Sequence, residues 1–356
     1  MGGRTRRGTR AEVVRSGGSY DPEDLIECAR RMLLVRRFEE RAAQAYTQAR
    51  VGGYCHLNLG EEATVVGLTA ALEPGDYLFT NYREHGYALG RGIPAGRIMA
   101  ELYGRSTGVS KGWGGSMHMF DAQARLMGGY GIVGGQLPLA TGAALAISYR
   151  GGAEVVMCQM GDGTTNIGAF HESLNIAALW DLPVVFAVVN NQLGMGTSVQ
   201  ESSAEPELHR RAAAYRINGV RVDGTDVLAV REAAREAVRL AREEHRPTLL
   251  ETVSHRLRGH SVVDPARYRD PEEAARAATA DPLPALRARL AADGALDDAG
   301  WEAMDAAVRQ EVARAAEFAE NSPHPAVETL FDHTYATPVP NSEPRLPADA
   351  LFPQPL

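Results

Sequence analysis

The chain has 356 residues, 44% of them apolar and 23% charged, the balance of an ordinary globule long enough to bury a large core. A net charge of −8 argues against a nucleic-acid surface, and no apolar run approaches the roughly 18 residues a membrane helix needs. Three scattered cysteines (Cys28, Cys55 and Cys158) make no CxxC pair, which excludes the usual disulfide and zinc patterns and leaves a cytoplasmic protein as the simplest expectation.

Residues 1–20 are rich in Arg and Gly without an apolar core and are expected to be a flexible arm. An arginine-rich start also resembles a transit peptide, but the whole chain favours arginine: Lys111 is its only lysine. From Pro22 to about Arg50, Leu25, Met32, Val35, Phe38 and Ala42 recur at helical spacing behind a capping Asp21. Residues 53–135 read as helices joined by glycine-rich loops, with "YLFTN" (77–81) a short strand. Within them "GYGIVG" (129–134) fits GxGxxG. A dinucleotide site would need a strand before it and an acid ending the next strand. Here "ARLMG" precedes it and Glu154 begins the next strand, so that reading is set aside.

The centre alternates buried strands and helices: "EVVMCQM" (154–160), a helix over 168–180, "PVVFAVVN" (183–190), "GVRVDG" (219–224), a helix from Val227 to about Glu244, and "PTLLETV" (247–253). This order predicts an α/β fold with a parallel sheet covered by helices on both faces. An α/β domain over residues 21–335, its N-terminal part helical, is expected before a Pro-rich tail at 336–356.

In such sheets ligands sit beyond the carboxyl ends of strands. Asp162 ends one strand and Asn190–Asn191 the next, so a carboxylate and an amide carbonyl meet at one edge. Hard oxygen ligands suit magnesium, which leaves part of its octahedron to phosphates and water. Backbone N–H groups at Gly163 and Thr164, ahead of a helix, suit phosphate oxygens. The same residues would also serve an unliganded βαβ turn.

"GDG" (161–163) followed by "NN" (190–191) resembles the thiamine diphosphate signature of transketolase-like and 2-oxo acid decarboxylating enzymes. "YREHGYALGRG" (82–92), "KGWGGSMHMFD" (111–121), "GIVGGQLPLATGAALA" (131–146) and "RGHSVVDPARYRDPEE" (258–273) are similar to the alpha subunit of the thiamine-dependent dehydrogenase component of 2-oxo acid dehydrogenase complexes. The likeness runs from about residue 22 to Tyr335 and is nearer the pyruvate than the branched-chain branch. It implies the family's diphosphate-type thiamine diphosphate fold and oxidative decarboxylation of a 2-oxo acid, with the acyl group passed to a lipoyl arm of the transacylase core. Acetoin dehydrogenase and branched-chain 2-oxo acid dehydrogenase alpha subunits are the alternatives.

By position the resemblance assigns magnesium to the side chains of Asp162 and Asn191 and the carbonyl of Leu193, where many pyruvate-type members have tyrosine. It assigns the diphosphate to Tyr82, Arg83, Gly163, Thr164 and Arg256, and the aminopyrimidine to the main chain of Gly131 and Val133. His56 and His260 match histidines at the substrate end and are the expected catalytic proton carriers, His260 within a loop that closes the entrance. Ser261 matches a serine phosphorylated in some eukaryotic relatives and reads here as a loop hydroxyl. The chain is too short for both cofactor domains of a one-chain thiamine enzyme. The family's solution is a beta subunit in an α2β2 heterotetramer that brings the glutamate touching the pyrimidine. Glu61 and Glu62 read as first-turn acids favoured by a helix dipole.

Overall fold

A computed structural model describes residues 20–332. The expected tail at 336–356, and all of the expected arm except Tyr20, lie outside them. Helix α1 (Pro22–Thr47) starts on Asp21, whose carboxylate accepts the Glu23 N–H, and it buries the expected stripe of Leu25, Met32, Val35, Phe38 and Ala42. Next come α2 (Glu62–Thr69), β1 (Tyr77–Asn81), α3 (His85–Gly90), α4 (Ala95–Leu102), β2 (Leu126–Tyr130) and α5 (Gln136–Arg150).

β2 corrects the sequence reading, since "LMGGY" lies where only helices and loops were expected beyond β1. Two glycines give it almost no strand propensity. Parallel pairing with β1 (Leu78 opposite Leu126, Asn81 opposite Tyr130) makes the strand. The GxGxxG run therefore does follow a strand, and the acid after the following strand is Asp162, contrary to the grounds on which it was set aside. What separates it from a dinucleotide unit is strand order, because β1 lies between β2 and β3.

The centre follows expectation: β3 (Val156–Gly161), a 3₁₀ turn (Asp162–Asn166), α6 (Gly168–Leu179) and β4 (Val184–Asn190). A two-residue antiparallel pair, β5 (Leu193–Gly194) and β6 (Thr197–Ser198), leads through α7 (Val199–Ser202) to β7 (Asn218–Asp223), α8 (Val227–Glu244) and β8 (Thr248–Val253). Three further helices, α9 (Pro271–Thr279), α10 (Pro282–Ala292) and α11 (Asp298–Asn321), and a 3₁₀ turn (Val327–Phe331) complete the described chain. The main sheet is parallel throughout, in the order β2-β1-β3-β4-β8-β7.

Alternation along β4 explains its unbroken apolar run. Val184, Phe186 and Val188 face one core with α5 and α6, while Val185, Ala187 and Val189 face the other with α1, α2 and α8. Among the described residues no helix is long and apolar enough to cross a membrane. Phe186 is fully buried in the α5–α6 core. Phe186→Ala should cost about 3–5 kcal/mol, read as a lowered urea midpoint of unfolding. An unchanged midpoint would mean that this core is not closely packed.

Candidate active site

Five strands deliver the expected site residues at their carboxyl ends. Tyr82 and Arg83 follow β1, Gly131 and Val133 follow β2, Asp162 follows β3, Asn191 follows β4 and Arg256 follows β8. β1 and β3 are neighbours whose crossovers leave in opposite directions, toward β2 and toward β4. Such a switch point opens a crevice at the carboxyl edge of a sheet.

Asp162 opens the 3₁₀ turn and is 5% exposed. Burial pushes its carboxyl up to about 6, partly offset by a bond from its own backbone and by the charges of Arg256 and Arg83. No salt bridge meets it among the described residues, so it is a buried anion lacking a close cation. Gly163 beside it is exposed, with nothing within 4 Å of where a Cβ would stand. Of the two asparagines, Asn190 turns away and donates to Glu251 Oε1 at 2.7 Å. Asn191 donates its Nδ2 to Glu61 Oε1 at 2.8 Å, which leaves Oδ1 as its free-facing acceptor, with only a 3.4 Å contact from the Leu193 N–H.

The described residues hold no cluster of three or more His, Cys, Asp or Glu that could cage a metal. One carboxylate, one amide oxygen and one carbonyl fit a hard cation that completes its shell with phosphate and water oxygens. The Leu193 carbonyl already accepts from Arg256 Nη1 at 3.1 Å. Arg256 also donates to the carbonyls of Met195 and Arg258, to Tyr268 Oη and to His260 Nδ1. With five N–H groups and five partners, it must give up a bond before it can meet a phosphate. Arg83 is similarly occupied, donating to the carbonyls of Leu57 and His260 with its Nε 3.8 Å from Glu61.

At the other end of the crevice three rings meet. His56 lies 4.4 Å from Tyr82 and 5.0 Å from His260, with Tyr82 and His260 5.8 Å apart between centroids. Burial and then the Arg83 charge push His56 down to about 3 and His260 down to about 4. Both imidazoles are therefore neutral at physiological pH, and the buried His56 Nδ1 has no partner. Asp264 pins the loop carrying His260, accepting from the His260 and Ala266 N–H groups and from Tyr268 Oη.

The expected histidines are thus brought together, as are the expected metal ligands and arginines. Other residues sort differently. His85 is buried between Glu39 and Ser116, a packing role. His118 donates to or accepts from neither metal ligand; its Nδ1 meets the Gly129 carbonyl beside Gly131. His171 is exposed against Tyr215, and Lys111 is exposed. Glu61 corrects its sequence reading: it holds the N-cap position of α2 but caps nothing, and its carboxylate accepts from Asn191 and Asn58 instead. Glu62 does sit in the first turn, fully buried against Arg36. Asp264 had no sequence signal beyond its place in the entrance loop.

The family model described as "Dehydrogenase E1 component" matches residues 30–328. A protein of Rhizobium meliloti named pyruvate dehydrogenase E1 component subunit alpha is 46% identical over 313 residues, covering 88% of this chain and 90% of that one. A protein of the same name from Zymomonas mobilis is 47% identical, covering 87% and 88%. One from Rickettsia conorii is 39% identical, covering 89% and 98%.

Since burial raises the Asp162 pKa to about 6, its ionised form costs the metal-free fold at neutral pH. Asp162→Asn should stabilise the metal-free protein above pH 7 by up to roughly 3 kcal/mol, the free-energy equivalent of moving a carboxyl from its ordinary range to about 6. The gain should shrink as pH falls through about 6 toward the ordinary carboxylate range, where the wild-type group is protonated in both states. Urea unfolding at pH 8 and pH 5 reads this, and a variant less stable than wild type at pH 8 would refute it.

Proposed function

Because the chain belongs to the dehydrogenase E1 component family, we propose that it is the diphosphate-gripping subunit of a thiamine diphosphate enzyme that oxidatively decarboxylates pyruvate. The acetyl group then passes to a lipoyl group of a transacylase. One observation carries the reading: buried Asp162 and Asn191 stand at the carboxyl ends of β3 and β4, beside the β1–β3 switch point, in a chain nearly half identical to proteins named for pyruvate. That name favours pyruvate over acetoin or branched-chain 2-oxo acids.

Asp162 Oδ, Asn191 Oδ1 and the Leu193 carbonyl would hold magnesium, and the Gly163 and Thr164 backbone would meet the diphosphate. Arg83, Tyr82 and Arg256 would also hold the diphosphate, Arg256 in exchange for one of its present bonds. The main chain at Gly131 and Val133 would hold the aminopyrimidine. When bound, thiamine diphosphate supplies the electron sink for the pair left by departing carbon dioxide. His56 and His260, being neutral, can each hold a proton on one ring nitrogen and accept on the other. The Arg256 guanidinium beside Nδ1 of His260 leaves Nε2 as the nitrogen that bears its proton. The Asp264 brace keeps that imidazole in place and helps exclude water.

Residues 21–335 would form the cofactor-binding unit, in the cytoplasm. A beta subunit in an α2β2 assembly would supply the glutamate that the pyrimidine needs. Two observations support this division. Glu61 and Glu62 are both engaged within this chain, and Ile132 and Val133 stand 78% and 47% exposed beside Gly131.

Pyruvate decarboxylation with an artificial electron acceptor, thiamine diphosphate and magnesium tests the reading. Turnover is expected only when the chain is mixed with its beta partner. Turnover by the chain alone would end the divided-site proposal, and turnover of acetoin without pyruvate would end the substrate assignment. In the assembled enzyme, His260→Ala should slow acetyl transfer to the lipoyl group by roughly 10²-fold or more. Transfer at the wild-type rate would remove His260 from the proton path.

A further inference from the structure

We infer that Glu61 is a positioning residue for both halves of the cofactor site: it fixes which end of the Asn191 amide faces the cation and holds Arg83 beside it. The inference rests on the thiamine diphosphate reading above. Glu61 is 1% exposed, and its carboxylate has three neighbours. Asn191 Nδ2 donates to Oε1 at 2.8 Å, Asn58 Nδ2 donates to Oε2 at 3.1 Å, and Arg83 Nε lies 3.8 Å from Oε1. An amide presents a donor at one end and an acceptor at the other, and a carboxylate can only accept. Glu61 therefore selects the orientation in which the Asn191 oxygen is turned to the metal. Its hydrogen bond spans 130 positions, and no other acceptor meets that amide nitrogen among the described residues.

Asn58 keeps the carboxylate from swinging away. Its own amide donates to Glu61 and to the Arg83 carbonyl, while its oxygen accepts the Gly86 N–H at 3.1 Å. One anion is thus clamped between an amide that turns its oxygen to the cation and an arginine that would meet the diphosphate. The sum of charges also matters: with Asp162 it sets two carboxylates against Arg83 and Arg256 in a site due to receive a cation and a polyanion.

The test uses the protein assembled with its beta partner. Binding of thiamine diphosphate is followed by tryptophan fluorescence while MgCl₂ is varied. Glu61→Leu, which removes the acceptor, should weaken the apparent magnesium affinity about 10–100-fold, the usual loss when a group orienting a metal ligand is changed. Asp162→Asn serves as the reference and should abolish the magnesium dependence. If it does and Glu61→Leu shifts affinity less than about twofold, the role given to Glu61 is wrong and the site stands. If Asp162→Asn leaves magnesium-dependent binding intact, the site itself is misassigned and the inference falls with it.

A polarity swap separates positioning from a damaged scaffold. Asn191→Asp alone sets two carboxylates at hydrogen-bonding distance and should weaken magnesium binding. The double variant E61Q/N191D restores one donor and one acceptor to the pair, with the carboxylate now on the ligand. It should bind magnesium at least about tenfold more tightly than N191D alone. No recovery would mean that the amide contact is not how Glu61 acts.

Discussion

An ionised carboxylate taken out of water has to be met by a cation, and Asp162 is such a group. It is the first residue of the 3₁₀ turn that follows β3. No arginine pairs with it directly, although Arg83 and Arg256 are close enough to lower the cost. The protein keeps one anion under-compensated and surrounds it with groups whose own bonds are already made. On the proposed reading, a bound cation would relieve that imbalance, and the diphosphate would draw on the arginines.

The arginines show how such a site is held ready. Each is buried and tied to main-chain carbonyls: Arg83 to Leu57 and His260, Arg256 to Leu193, Met195 and Arg258. These carbonyls come from three separate loops, so the two guanidiniums stitch the rim of the crevice together. Arg256 also donates to Tyr268 Oη, which donates to Asp264 and so ties the His260 loop to the same guanidinium. Arg256 thus bonds both the Leu193 carbonyl and the His260 loop.

The parts readable in the sequence were those governed by local pattern. β3, β4 and β8 are short apolar runs bounded by turn residues, and Asp162 and Asn191 fall at their ends because a parallel sheet leaves no other place for them. β2 escaped because Gly128 and Gly129 carry no strand signal; its partner strand, not its composition, decides it. Glu61 escaped for a similar reason. A helix-start position predicts an acid serving the helix, whereas this carboxylate is claimed by Asn191 from far along the chain. Arg256 lies beside the Leu193 carbonyl and His260, but no local pattern announces its five existing bonds.

The strand order carries a further meaning for how the molecule comes into being. β4 lies against β8, so Asn190 is paired with Val253, and β1 lies against β3, with β2 outside it. The crevice exists only where these distant segments have docked, and contacts of such long range form late and slowly in a folding chain. A partly folded molecule has no place to bind. Capture of a ligand there would add its binding energy to the finished fold alone, shifting the folding equilibrium toward the native state by mass action.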